Sequence, residues 1–113
     1  MIIKFLDFQG TIQIEKFKSD FQDDVNRIWQ SSTEESTSHA YSLPNYINAV
    51  CFEDKDHNLR FDSSRRVDGA TIEHLDIAKT TSNEDPLCIM NIQGKVSLTL
   101  LKGSGDVFVT VER

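Results

Sequence analysis

Phe17, Phe21, Val25, Ile28 and Trp29 follow one another at intervals of four, four, three and one. This spacing draws one apolar stripe down an α-helix, in a chain whose other apolar stretches mostly have strand character. Ser19 stands where an N-cap belongs, and Gln22 three residues on completes a capping box. Asp20, Asp23 and Asp24 fall in the first turns, where carboxylates favour the positive end of the helix dipole. The pattern predicts a helix from about Asp20 to Gln30, with Trp29 as a core anchor.

Elsewhere the pattern is that of strands. Residues 2–9 are rich in Ile, Phe and Leu, and Thr11-Ile12-Gln13-Ile14-Glu15 alternates strictly after Gly10. Together they read as a hairpin turning at Gln9-Gly10. Residues 31–40 are small and polar without an apolar period, which predicts an exposed loop. Tyr46–Phe52 and Leu59–Phe61 are strand candidates around a polar turn at residues 53–58, and Asp68-Gly69 is a turn signal. Thr71–Ala78 fits neither period cleanly and is read as strand. After a polar loop at 79–86, Leu87–Ile92, Lys95–Leu101 and Val107–Val111 form a C-terminal meander turning at Gln93-Gly94 and Gly103-Ser104-Gly105. The expected fold is α+β. It is a mainly antiparallel sheet of about six to seven strands, with one amphipathic helix near residues 20–30 packed on one face.

The chain has 113 residues, enough for one domain with its own core. Acidic residues outnumber basic ones 18 to 12, for a formal charge of −6. A negative field repels nucleic acid, and the one adjacent basic pair, Arg65-Arg66, is flanked by Asp62 and Asp68. Charges interrupt the apolar run of Met1-Ile2-Ile3-Lys4-Phe5-Leu6-Asp7, and no segment reaches the length of a membrane span. A cytoplasmic protein is expected. Cys51 and Cys88 sit in apolar surroundings and are read as buried reduced thiols, with pairing between them left open.

Signatures of catalysis are absent. Asp54-x-Asp56-x-Asn58 opens like a calcium loop, but the sixth and twelfth positions hold Leu59 and Arg65 where that loop needs Gly and Glu. There is no nucleophile elbow and no phosphate loop before a helix. His74-x-Asp76, on a strand, would share a face as an acid–base or metal pair, and His57 lies among carboxylates. These two sites carry the alternative of a small hydrolase. A further alternative is a structural or regulatory module that self-associates through a strand edge. No cofactor, metal or catalytic residue is assigned.

The acidic clusters are the remaining feature. Glu34 and Glu35 lie in the first polar loop, Glu53, Asp54 and Asp56 at the hairpin tip after Phe52, and Glu84 and Asp85 in the second polar loop. Converging, they would form a negative patch that steers a basic partner. In size, charge and lack of a catalytic signature, the whole chain is similar to bacterial immunity proteins of polymorphic-toxin and contact-dependent growth inhibition systems. The resemblance carries no single residue across. It implies a monomer or weak homodimer without catalysis, inhibiting stoichiometrically a basic toxin domain, such as a nuclease, by covering its active site or an essential surface.

Overall fold

The computed structural model describes the backbone of residues 2–31 and 33–113, and side chains from residue 10 onward except at 32. The expected α+β class is present, in an arrangement different from a single sheet. Helix α1 (Ile2–Trp29) is followed by strands β1 (Glu35–Ser42), β2 (Ile47–Phe52) and β3 (Leu59–Ser63). A short helix α2 (Ile77–Thr80) precedes β4 (Leu87–Met90), β5 (Lys95–Lys102) and β6 (Thr110–Glu112). The strands form two antiparallel sheets of three, in the orders β1-β5-β6 and β3-β2-β4. Neither sheet has the six to seven strands expected of one.

The N-terminal hairpin does not exist. Residues 2–29 are one continuous helix, so Ser19 is an exposed mid-helix residue and caps nothing. The physical reason lies in the buried positions. Gly10, Ile14, Phe17, Phe21, Val25 and Ile28 recur at intervals of four, three, four, four and three, which extends the stripe seen from Phe17 backwards by two turns. Ile12, which alternation pairs with Ile14, is 50% exposed on the far side of the helix. Glycine inside a helix ordinarily costs roughly 1 kcal/mol against alanine. At Gly10 a Cβ would crowd the Tyr46 hydroxyl, so the ring would have to shift to admit any other residue.

Phe17 and Phe21 place α1 between the sheets. Both rings meet Tyr41 of β1 edge-on, while Phe17 also meets Phe61 of β3 and Phe21 meets Phe52 of β2. One apolar core results, completed by Ile47, Val50, Leu59, Val96, Leu98, Leu100, Val109 and Val111. The far end of α1 is closed by Lys102, whose ammonium donates to the Trp29 and Ser31 carbonyls at 3.0 and 2.7 Å. A cation there complements the negative end of the helix dipole.

Other segments depart from the sequence reading. The polar stretch expected as a loop contains most of β1, paired with β5 from Glu35↔Lys102 to Ser42↔Lys95. Gln93 and Gly94, at φ of 52° and 83°, make the tight turn between β4 and β5. Beyond it the two strands part into different sheets, joined by a single bridge at Ile92–Lys95, so the meander is broken there. Gly69 makes no hairpin. It lets the chain pass against the Leu59 carbonyl, a place a Cβ would occupy. Thr71–Ala78 is not a strand: Leu75 makes one parallel bridge to Val109, and Ile77 starts α2.

Cys51 and Cys88 are not reduced thiols. The register of β2 and β4 sets them directly opposite, Cα atoms 4.0 Å apart, and a disulfide joins them. Register is a tertiary property, which is why spacing along the chain left the pairing open. Among the described residues no helix is long and apolar enough to cross a membrane.

Two measurements check this fold. By denaturant unfolding, Ile14→Ala is expected to cost about 2–5 kcal/mol and Ile12→Ala no more than about 0.5 kcal/mol, whereas a hairpin would bury both alike. The air-oxidised chain, unfolded without reductant, should show no titratable thiol, and reduction should lower its stability by roughly 2–4 kcal/mol.

Candidate functional site

Strand direction decides where the acidic clusters go. Phe52 at the end of β2 lies opposite Leu87 at the start of β4, so residues 53–56 and 84–85 flank the same end of their sheet. β4 runs from that end into the Gln93-Gly94 turn, and β5 runs back to Lys102, opposite Glu35. All three clusters therefore lie at the end of the molecule remote from Gln93-Gly94. The C-terminus of α1, held by Lys102, is at this end too.

The carboxylates there are of two kinds. Glu53 is mostly buried and neutralised, its carboxylate accepting from Arg60 at 3.1 Å with Lys55 at 3.9 Å. Glu84 takes both guanidinium nitrogens of Arg113, at 2.6 and 2.7 Å. Asp54, Asp56, Glu34 and Asp85 are exposed and Glu35 half-buried, and none of the five carboxylates has an ion-pair partner among the described residues. The loop bearing Asp54 and Asp56 is braced. Buried Asn58 exchanges two hydrogen bonds with the Ile72 backbone, and the Thr71 hydroxyl donates to the Asp56 carbonyl at 2.7 Å. Its calcium-like spacing gathers no ligand set: no group of three or more His, Cys, Asp or Glu residues able to hold a metal occurs among the described residues.

Sequence reasoning missed two residues at this end. Val107 and Phe108 were assigned to the last strand by their alternation, but β6 begins only at Thr110. A turn over 103–106 intervenes. Gly105 takes a φ of 83°, and the Asp106 carboxylate accepts from the Gly103 N–H at 3.0 Å and from the Lys79 ammonium at 3.0 Å. These contacts hold the Asp106 carboxyl below its ordinary range and raise Lys79. Past this fixed turn Val107 and Phe108 stand 67% and 44% exposed. Glu34 lines a cleft against residues 102–106, and Glu35 and Glu112 line another against 101–103, so carboxylates rim the same loop. The signal was available: Gly103, Gly105 and Asp106 form a turn cluster that runs further than the two glycines alone.

The histidines are placed differently from the sequence reading. His74 and Asp76 do not share a strand face, since Asp76 turns to cap α2 and accepts from the Lys79 N–H at 3.0 Å. His74 holds a φ of 69° and stacks on Trp29 at 3.6 Å between ring centroids. Its tautomer is set by a chain of amides. The Glu73 N–H donates to Gln22 Oε1, so Gln22 Nε2 donates to Asn26 Oδ1, which then accepts from His74 Nδ1 at 3.0 Å. His39 Nδ1 lies 3.6 Å from Asp24, whose carboxylate also accepts from Tyr41 at 2.7 Å and Arg27 at 2.9 Å. Burial, with Asp24 next to it, pushes the Tyr41 phenol far above its ordinary value. His57 is exposed on the 53–58 loop and lines a cleft with Glu53, Lys55 and Arg60.

Comparison of the chain with protein-family models, with curated proteins and with solved structures gives no match in any of the three.

Arg113 holds the Glu84 carboxyl below the usual carboxylate range. A carboxylate with a lowered folded-state value stabilises fully above its unfolded value, and that contribution disappears as pH falls through the folded value. The thermal midpoint of the native chain is therefore expected to fall further than that of Glu84→Gln as pH drops from about 5 to about 3. Parallel curves would show that the pair contributes nothing.

Proposed function

We propose that this chain is a stoichiometric protein-binding inhibitor of the immunity type, and that its acidic end docks on a basic domain of a cognate toxin. The observation that carries this reading is the exposed Val107–Phe108 pair, which directly follows a fixed turn at 103–106 whose clefts are lined by Glu34, Glu35 and Glu112. Protein interfaces concentrate binding energy in a few apolar or aromatic anchors and use the surrounding charge for steering and selection. Glu34, Glu35, Asp54, Asp56 and Asp85 are the carboxylates without an ion-pair partner among the described residues, while Glu53 and Glu84 are occupied within the fold. The net charge of −6 adds a long-range attraction to a cationic partner.

The two contributions separate kinetically. With the partner captured from the source cell on immobilised chain and then purified, the combined reversal Glu34→Lys, Glu35→Lys, Asp54→Lys and Asp56→Lys should cut the association rate by about tenfold or more at low salt. Phe108→Ala should chiefly speed dissociation and weaken binding by about 2 kcal/mol. Native kinetics in both variants would remove this end from the interface. Cytoplasmic neutralisation goes with reduced cysteines, and an oxidising compartment with the disulfide. The redox state of Cys51 and Cys88 in the source cell decides between them.

A further inference from the structure

One side of β1 is a sheet edge. Antiparallel strands hydrogen-bond at alternate residues, and the Leu43 N–H donates to the Gly94 carbonyl at 3.0 Å, one step beyond the Ser42↔Lys95 pair. The odd residues of β1 therefore direct their backbone groups to β5, and Ser36, Ser38, Ala40 and Ser42 point theirs away from it. The Ser38 and Thr99 hydroxyls, 3.0 Å apart, make the close side-chain contact of a pair that exchanges no backbone bonds. Among the described residues, nothing hydrogen-bonds to the outward N–H and C=O groups of those four. All four residues are exposed.

The other three edges are covered or interrupted. Leu59 of β3 exchanges two backbone hydrogen bonds with Ala70, exposed Arg60 and Asp62 follow, and the β2–β3 register shifts between Ile47 and Ala49. β4 has four residues, and the Arg113 guanidinium donates to its Cys88 carbonyl at 3.2 Å. β6 has three residues, and its Val111 N–H donates to the Thr80 hydroxyl at 3.1 Å. β1 carries none of the devices that keep edges apart. It has eight residues without proline, lysine or arginine, and its register with β5 does not shift.

We propose that β1 pairs with β1 of a second copy of this chain, antiparallel about a two-fold axis near Ser38, making one continuous sheet in the order β6-β5-β1-β1-β5-β6. Such an axis sets the strand against its own reverse, so the outward groups of Ser36, Ser38, Ala40 and Ser42 meet a matching set. The charges at the two ends of β1 are complementary. At the Ser42 end, the Lys95 ammonium donates to the Ser42 hydroxyl at 2.8 Å and has no carboxylate partner among the described residues. At the other end stand Glu34 and Glu35, also without an ion-pair partner among the described residues. Antiparallel pairing brings the glutamate end of each copy to the Ser42–Lys95 corner of the other. A second copy supplies the ladder and both corners at once, whereas an unrelated strand is bound to supply only the ladder. Val107 and Phe108 play no part in this pairing, so it can fail while the protein-binding reading stands.

The test is sedimentation equilibrium and amide hydrogen exchange on the ¹⁵N-labelled full chain, from about 10 μM to about 1 mM, the range in which so small an interface associates. A monomer–dimer equilibrium is expected. The amides of Ser36, Ser38, Ala40 and Ser42 should gain protection as concentration rises, while those of Thr37, His39 and Tyr41 are protected throughout. Ala40→Pro removes an outward N–H and takes no hydrogen bond from β5, so it should leave the monomer folded and weaken the dimer at least about tenfold. Lys95→Glu, which leaves the backbone ladder intact, should also weaken the dimer, and adding Glu34→Lys to that chain should restore it. A chain that stays monomeric, protection of the four amides that ignores concentration, a dimer indifferent to Ala40→Pro, or a charge reversal that restores nothing would each overturn the proposal. Protection of those amides only in a complex with a different protein would overturn it too, and would assign the edge to that partner.

Discussion

The wedge of Phe17 and Phe21 between two small sheets is the contact on which the rest of the molecule depends. A three-stranded sheet cannot bury much surface alone, and among the described residues a single bridge, at the β4–β5 turn, links strand ends of the two sheets. The two phenylalanine rings touch Tyr41 in one sheet and Phe52 and Phe61 in the other. Each fully buried aromatic contributes roughly 1.5–3 kcal/mol by burial, with more from the edge-on geometry. The long helix is thus a structural spine. Its middle fills the core, and its C-terminus is tied by Lys102 to the acidic end.

What could be read from the sequence was what local patterning determines. β2, β3 and β5 each alternate or run apolar between turn signals, and they form close to where those signals place them. The helical stripe from Phe17 to Trp29 was equally clear. Failures occurred where a residue's reason lay far away in the chain. Gly10 looks like a turn until Tyr46 is beside it, and Gly69 looks like a turn until the Leu59 carbonyl is beside it. β1 has almost no apolar signal, because only Tyr41 among its residues is fully buried. It is a strand because β5 offers a complete ladder and Ser38 pairs its hydroxyl with Thr99 at 3.0 Å. Pairing overrides propensity there.

The candidate site divides in the same way. Its seven acidic residues could be named from the sequence, but their division into occupied and unoccupied carboxylates could not. Arg60 lies close in sequence to Glu53, while Arg113 reaches Glu84 only across the fold. Val107 and Phe108 alternate well enough to pass for strand, and only the turn at 103–106 turns them outward. Here the local rule that works for β5 fails, at a place where exposure of large apolar groups has no structural benefit. Apolar residues left outside at a braced turn are more informative about binding than any count of charges.

The arrangement of charge follows from the topology. Antiparallel connections send the turns at 53–58, 84–86 and 102–106 to one end, and those at 43–47, 64–66 and 93–94 to the other. Acidic residues populate the first group, and Arg65 and Arg66 the second. A macromolecular partner attracted by the overall negative charge would approach with its cations toward the first end and away from Lys18 and the two arginines. Raising ionic strength should weaken that attraction. It removes the steering of the large partner, while apolar anchors such as Phe108 keep much of their effect. The same strand directions that build the core thus gather the acidic turns at one end of the molecule.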